Sequence, residues 1–202
     1  MKGKEQSKRF EIRLAGEGGQ GMILAGVILA EAAAIYEGKY VVQTQSYGPE
    51  ARGGASKAEV VISDEPIDYP EVLSADVLVA MSQEACDRYA SNLKKEGLLI
   101  VDVEKVKRVP LTTAVKIPIT RAAIEASGKA ITANVVALGV LVGLTGVVSR
   151  EAIEKAILAR APKGSEEMNC KALARGFAEA EALLAVKQKA QKGLAIGIWD
   201  TG

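Results

Sequence analysis

The sequence predicts an α/β fold: a three-layer α/β/α domain with a mixed, mostly parallel sheet and a helical C-terminal part. Three observations lead there. Short strand-like runs alternate with helical stretches through the first half of the chain; residues 16–21 hold four glycines directly after the first such run; and from residue 121 the pattern is helical.

Residues 9–15, R-F-E-I-R-L-A, alternate apolar and polar as a strand does. G-E-G-G-Q-G then breaks the alternation, and residues 22–36 read as a helix. Ile23, Leu24, Val27, Ile28 and Ile35 fall on one side of it, while Ala25, Gly26, Ala30, Ala32, Ala33 and Ala34 offer small surfaces for close approach to a sheet. Gly38 ends it. Residues 39–45 form a second strand, 46–54 a loop rich in Gly and Pro, and 55–63 a third strand that stops at Asp64-Glu65-Pro66. That connection is too short for a crossover helix, so the two strands are predicted to form a hairpin and the sheet to be mixed. The apolar runs 76–81 and 98–103 read as buried central strands around a helical stretch at 83–93, and residues 113–117 as one more strand before Pro118. Helices follow at 121–127, at 133–146 with Thr132 as N-cap, from Ser149 to residue 160, and from Ser165-Glu166-Glu167 through residue 184. Residues 191–202 read as a tail whose Leu194, Ile196, Ile198 and Trp199 form an apolar stripe, for docking a partner or for packing on their own domain. Without repeats or linkers, residues 1–202 read as a single domain with its core over about 9–185.

Bulk composition excludes several classes of function. With 26 basic and 25 acidic residues the net charge is +1, so there is no field to attract nucleic acid. No apolar run reaches the roughly 20 residues that span a bilayer, and the first residues lack a signal-peptide core, so no membrane association and a cytoplasmic location are expected. Cys86 and Cys170 lie far apart and outside any CxxC pair, so no zinc site or iron–sulfur cluster is expected from this chain, and both thiols are expected to be reduced and buried. There is no histidine, which removes the commonest general base near neutral pH and the Ser–His–Asp triad. These absences favour a binding subunit with no catalytic residues of its own.

Gly16, Gly18 and Gly21 match G-x-G-x-x-G between a strand and a helix, a Rossmann-like layout. A dinucleotide site would require an acidic residue at the end of the second strand to hold the ribose, and that strand ends in Gln43-Thr44-Gln45. Two other readings stand beside it. The backbone N–H groups of Gly18, Gly19, Gln20 and Gly21 can cradle an anion at the helix N-terminus, or the glycines serve only a tight turn. The following segment, Q-S-Y-G-P-E-A-R-G-G over residues 45–54, adds the ring of Tyr47, the fork of Arg52, and Gly48, Gly53 and Gly54 as hinges. If the first two strands are neighbours, this loop leaves the same sheet edge as the glycine loop. Asn134, at a predicted helix start, would orient backbone at that site or cap its own helix.

G-E-G-G-Q-G, then V-V-Q-T-Q-S-Y-G-P-E-A-R-G-G, resembles the gamma subunit of 2-oxoacid:ferredoxin oxidoreductases. I-D-Y-P at 67–70, D-V-L-V-A-M-S-Q-E-A at 76–85, A-N-V-V-A-L-G at 133–139 and E-E-M-N-C-K-A-L-A-R-G at 166–176 extend the resemblance over nearly the whole chain. The 45–54 segment is similar to the 2-oxoglutarate type more than to the pyruvate type. The resemblance implies a subunit of an enzyme that converts a 2-oxoacid and coenzyme A to acyl-CoA (succinyl-CoA from 2-oxoglutarate) and CO2, with electrons passing to ferredoxin. It implies thiamine diphosphate, magnesium and iron–sulfur clusters on the alpha and beta, or alpha, beta and delta, subunits, with coenzyme A as co-substrate and no cofactor or metal on this chain alone. Gly16, Gly18, Gly19, Gln20, Gly21, Tyr47, Gly48, Arg52, Gly53, Gly54 and Asn134 would complete the site beside those subunits. The readings left open are a stand-alone NAD(P) oxidoreductase, a pure scaffold, and a family member specific for pyruvate, 2-oxoisovalerate or indolepyruvate.

Overall fold

The computed structural model describes residues 9–47, 55–110 and 114–196, with backbone alone from 189 onwards. Gly48, Arg52, Gly53, Gly54 and Trp199 therefore lie outside the described residues.

The chain forms β1 (Phe10–Glu17), α1 (Met22–Ile35), β2 (Tyr40–Ser46), β3 (Ala55–Ser63), β4 (Ala75–Ala80), α2 (Gln83–Tyr89), β5 (Leu93–Asp102), β6 (Val115–Ile117), α3 (Ile119–Ser127), α4 (Ala133–Thr145), α5 (Arg150–Arg160) and α6 (Glu166–Ile196). The strands make one six-stranded sheet in the order β2-β3-β1-β4-β5-β6. β1, β4, β5 and β6 run parallel, whereas β3 is antiparallel to both β1 and β2. The predicted hairpin and mixed sheet are both present. β1 and β2 are not neighbours, however, because β3 lies between them. β2 still runs in the direction of β1, so both end at the same edge of the sheet.

Ile12, Leu14, Val60, Ile62, Val77, Val79 and Ile100 face one way and meet the buried residues of α1, α3, α4, α5 and α6. The opposite face is covered by one helix, α2, through Ala85 and Cys86, and by the segment around Val72. The third layer of the sandwich is therefore thin. This explains why β1 is buried on both sides despite its alternating sequence. Glu11 and Arg13 point to the thin side, where Arg13 Nε donates to Glu59 Oε1 at 2.7 Å and Nη2 donates to the Val72 carbonyl at 2.9 Å. Lys57 reaches the other oxygen of Glu59 at 2.9 Å, and the Tyr89 ring centroid lies 5.2 Å from the Arg13 guanidinium carbon. Paired and stacked in this way, the charges can be taken out of water.

In α1 only part of the expected apolar side faces inwards. Its buried residues are Met22, Ala25, Gly26, Ile28, Leu29, Ala32 and Ala33, while Leu24 and Ile35 are exposed. A Cβ on Gly26 would stand 2.5 Å from that of Ala58 on β3. At Gly26 the helix lies too close to the sheet for a side chain, while Met22, Ile28 and Leu29 fill the space to either side; Leu24 and Ile35 are exposed and Val27 is half-buried.

Other boundaries also differ from those expected. β5 starts at Leu93 because a bulge opposite Ala75–Val77 absorbs the polar stretch K-K-E-G, with Lys94 paired to Asp76 at 2.8 Å. α6 runs on to Ile196, where a tail had been expected from residue 191. Thr132 does not cap α4: it ends a 3-10 turn (Ala130–Thr132), and its hydroxyl bonds to the Lys129 carbonyl and the Ser127 hydroxyl. Ser149 does cap α5, accepting from the N–H of Ala152 at 3.1 Å.

α4 is buried on nearly every side and crosses α6 backbone to backbone. A Cβ on Gly139 would lie 2.6 Å from the Leu173 carbonyl oxygen, and one on Gly176 would lie 2.3 Å from that of Val136. Farther along, a Cβ on Gly143 would meet the Ala180 Cβ at 2.7 Å. Because the atoms in the way at the crossing are backbone, no rotamer change can make room. Gly176→Ala should cost about 3 kcal/mol despite gaining about 1 kcal/mol of helix propensity. Thermal unfolding followed by circular dichroism should show Tm falling by on the order of 10 °C.

Candidate functional site

β1 ends at the glycine loop, on the carboxyl edge of the sheet beside β4. In an open α/β sheet this is the switch point, where the connections leave in opposite directions and a crevice opens. Here the crevice is closed from within. The Gln20 carboxamide accepts from the N–H of Glu17 at 2.8 Å and donates to the Met81 carbonyl at 3.0 Å, tying the end of β1 to the end of β4. It occupies the space above Gly16, whose Cβ would stand 2.3 Å from Gln20 Oε1. Gly16 is thus a glycine because Gln20 folds over it.

Gly21 is fixed from the other side. It sits at φ +74°, and a Cβ there would lie 2.6 Å from Asn134 Nδ2. Asn134, buried at the start of α4, donates from Nδ2 to the Gly21 carbonyl at 3.3 Å and accepts from the N–H of Val135 at 2.9 Å. The two alternatives for Asn134 are thereby combined in one carboxamide.

Gly18 and Gly19 behave differently. A Cβ on either would meet nothing within 4 Å, and only Gly19 has a positive φ, +91°. Nothing among the described residues around Gly18 asks for a glycine. Among the described residues their N–H groups find no acceptor, and the N-terminus of α1 has no side-chain cap.

Ser46 pairs with Lys57 on β3, Gly16 with Ser56, and Glu17 with Ala55. The Ser56 hydroxyl donates to the Gly16 carbonyl at 3.2 Å. Ser46 and Ala55, from which the 47–54 segment leaves the sheet, therefore stand at the edge where β1 ends, with Tyr47 70% exposed. The shared edge expected from the sequence is real, but it arises through the intervening β3. The same geometry argues against a dinucleotide site. With β2 one strand removed from β1, its end is not where a ribose-holding residue would stand.

Two cavities flank the loop. One, of about 400 Å³, opens over Gly19, Gln20 and Met81 and is lined by Glu17, Lys105 and Thr120. The buried Asp102 supports it, accepting from the N–H and hydroxyl of Thr120 and from the N–H of Glu104 at 3.0 Å. Lys105 and Thr120 were missed in the sequence because they belong to no motif. Following the carboxyl end of each central strand into its loop would have found Lys105, three residues beyond β5. The other cavity, of about 260 Å³, is apolar and runs from Gly19 and Gly21 between Leu24, Ile131, Ile157 and Met168. Its wall includes Arg160, which forms a two-pronged pair with Glu31.

Both cysteines are free. Cys86 is buried, which pushes its thiol up and leaves it protonated, with Asp87 adding to the effect; Cys170 is half-buried and is raised in the same way by burial and Glu154. Among the described residues no group of three or more His, Cys, Asp or Glu could hold a metal ion. Nor is any described helix long and apolar enough to cross a membrane.

Fold and site together define a class: an α/β domain that fixes a glycine loop between the ends of its central strands and the start of α4, with Gly18 and Gly19 uncrowded by the described residues. Comparison with known proteins makes the class specific. The pattern of the pyruvate ferredoxin/flavodoxin oxidoreductase family matches residues 11–179, and the chain belongs to that family. It is 53% identical over 187 residues to the 2-oxoglutarate synthase subunit KorC of Methanocaldococcus jannaschii, covering 91% of this chain and 100% of the relative. The gamma subunit of keto/oxoacid ferredoxin oxidoreductase from Geobacter sulfurreducens has a similar structure, with a TM-score of 0.79 and 53% identity over 86% of this chain and 97% of that one. A 2-oxoglutarate:ferredoxin oxidoreductase from Magnetococcus marinus, solved with 2-oxoglutarate, coenzyme A and succinyl-CoA bound, matches with a TM-score of 0.76 and 26% identity. That match covers 86% of this chain and 31% of the longer one.

The Arg160 hydrogen bond and charge hold the Glu31 carboxyl below its ordinary value of 4.5 against a smaller effect of burial. A depressed folded value means that the pair stabilises the fold above about pH 4.5 and that this contribution is lost as the pH falls through the folded value. Glu31→Gln should therefore lower Tm modestly at pH 7, since both groups are partly exposed. The difference from the unmodified chain should narrow as the pH falls below 4.5 in a Tm-versus-pH series.

Proposed function

We propose that the chain is the gamma subunit of a 2-oxoglutarate:ferredoxin oxidoreductase complex. Its role is placement: the glycine loop and the Tyr47-to-Gly54 segment complete a site against the subunits that carry thiamine diphosphate, magnesium and iron–sulfur clusters. Thiamine diphosphate there supplies the carbanion chemistry of oxidative decarboxylation, coenzyme A takes up the acyl group, and ferredoxin takes the electrons. The open stance of Gly18 carries this reading: a residue that nothing inside the chain requires to be glycine stands where another molecule would need to approach the backbone. The free N–H groups of Gly18 and Gly19, with Lys105 in the neighbouring cavity and Arg52 supplied by the adjoining segment, suit an anionic group, either a coenzyme A phosphate or a partner carboxylate. The similarity to 2-oxoglutarate-type relatives over nearly the whole chain supports the choice of substrate.

Co-purification with the partner subunits tests this directly. The isolated chain should show no turnover, and the complex should reduce ferredoxin with coenzyme A and 2-oxoglutarate at least 10-fold faster than with pyruvate; the reverse preference would overturn the assignment. Gly18→Ala should leave the Tm of the isolated chain within about 1 °C, because its Cβ meets nothing, yet weaken assembly or turnover of the complex. Unchanged assembly and turnover would remove the loop from the interface. Arg52→Ala should raise a Michaelis constant for one substrate in an assembled complex, and unaltered constants for both would exclude that residue.

A further inference from the structure

Strand β2 is the outermost strand of the sheet, and among the described residues its outer side pairs with no strand. The opposite edge, β6, is only three residues long. A seven-residue edge is normally blunted by lysine, proline or a bulge, because its free N–H and C=O groups invite another strand. β2 has none of these. Its sequence, Y-V-V-Q-T-Q-S, contains no charge and no proline, and it pairs with β3 from Tyr40 to Ser46 without a register shift. Beside it runs a shallow groove of about 320 Å³ lined by Val27, Ala30, Ala34, Ile35, Val41 and Gln43. Ile35 is 68% exposed and Tyr40 50%.

We infer that this edge is the interface between two copies of the chain, joined by antiparallel β2–β2 pairing about a two-fold axis at Gln43. The free backbone groups call for an extended segment, and β2 itself fits the requirement. In that register Tyr40 stands opposite Ser46, Val41 opposite Gln45 and Val42 opposite Thr44, with Gln43 facing its own copy. Just outside the strand, Lys39 would meet Tyr47. No like charges face each other, the usual obstacle to self-pairing. α1 lies over β2 and β3, so the two-fold also brings the two α1 helices side by side. Ala30 and Ala34 allow them to approach, and Val27 and Ile35 supply apolar contact. Glu31 in the same groove is already neutralised by Arg160. The two sheets would merge into one of twelve strands, and the unequal exposure of α1 would disappear.

Light scattering on the full chain at about 100 µM should give roughly 42 kDa, twice the 21.2 kDa of one copy. Gln43→Lys and Gln43→Glu each place like charges face to face and should each halve that mass while keeping the circular dichroism of the native fold. An equimolar mixture of the two should recover the doubled mass, which a merely destabilised chain would not do. A monomeric native chain, a Gln43→Lys chain of unchanged mass, or a mixture that stays monomeric would each overturn the proposal. So would hydrogen exchange showing β2 protected only when the other enzyme subunits are present.

Discussion

The backbone crossing of α4 and α6 is the constraint on which the functional edge of the molecule depends. Gly139 and Gly176 let the two helices touch without intervening side chains, and this sets the depth at which α4 lies in the helical layer. α4 in turn presents Asn134 to the Gly21 carbonyl, and the glycine loop takes its position from that contact and from the Gln20 bridge to Met81. A displacement of α4 by the width of one methyl group would be transmitted along this series to the end of β1. The glycines in A-N-V-V-A-L-G and A-L-A-R-G thus have a mechanical explanation, although they lie far in sequence from the loop they control.

The loop itself divides into two kinds of glycine. Gly16 and Gly21 are required from within: one makes room for a carboxamide, and the other takes a left-handed conformation against a second carboxamide. Gly18 and Gly19 are crowded by no described residue. A literal G-x-G-x-x-G match therefore conceals a division of labour. The crevice that a dinucleotide would enter is occupied by the chain's own Gln20, and Gly19 borders the two cavities that flank the loop.

Much of this was legible in the sequence, and the gaps have identifiable causes. Strand, glycine loop, helix and hairpin could be read from turn residues and alternation because those signals are local. The serine cap of α5 could be read for the same reason. The orientation of α1 could not, since periodicity reports that a helix has an apolar side but not that close packing on a sheet favours alanine and glycine there. The insertion of β3 between β1 and β2 was also hidden: an antiparallel strand between two parallel ones leaves no mark in a hydropathy pattern. The roles of Gln20 and Asn134 depend on contacts that only the folded chain brings together, across 61 and 113 residues respectively.

Of the described strands β1 comes first in the chain, and it lies at the centre of the sheet, flanked by β3 and β4. As the chain leaves the ribosome, the sheet can grow outwards from β1, first towards β3 and β2 and then towards β4 and β5. The α4–α6 crossing closes only after the sheet, because Gly176 lies on α6, beyond every described strand. Until then α4 is held by α1, α3 and α5 without α6, and Asn134 lacks the depth that the crossing gives it against Gly21. A chain cut short before α6 would thus leave the glycine loop without the support that reaches it through α4.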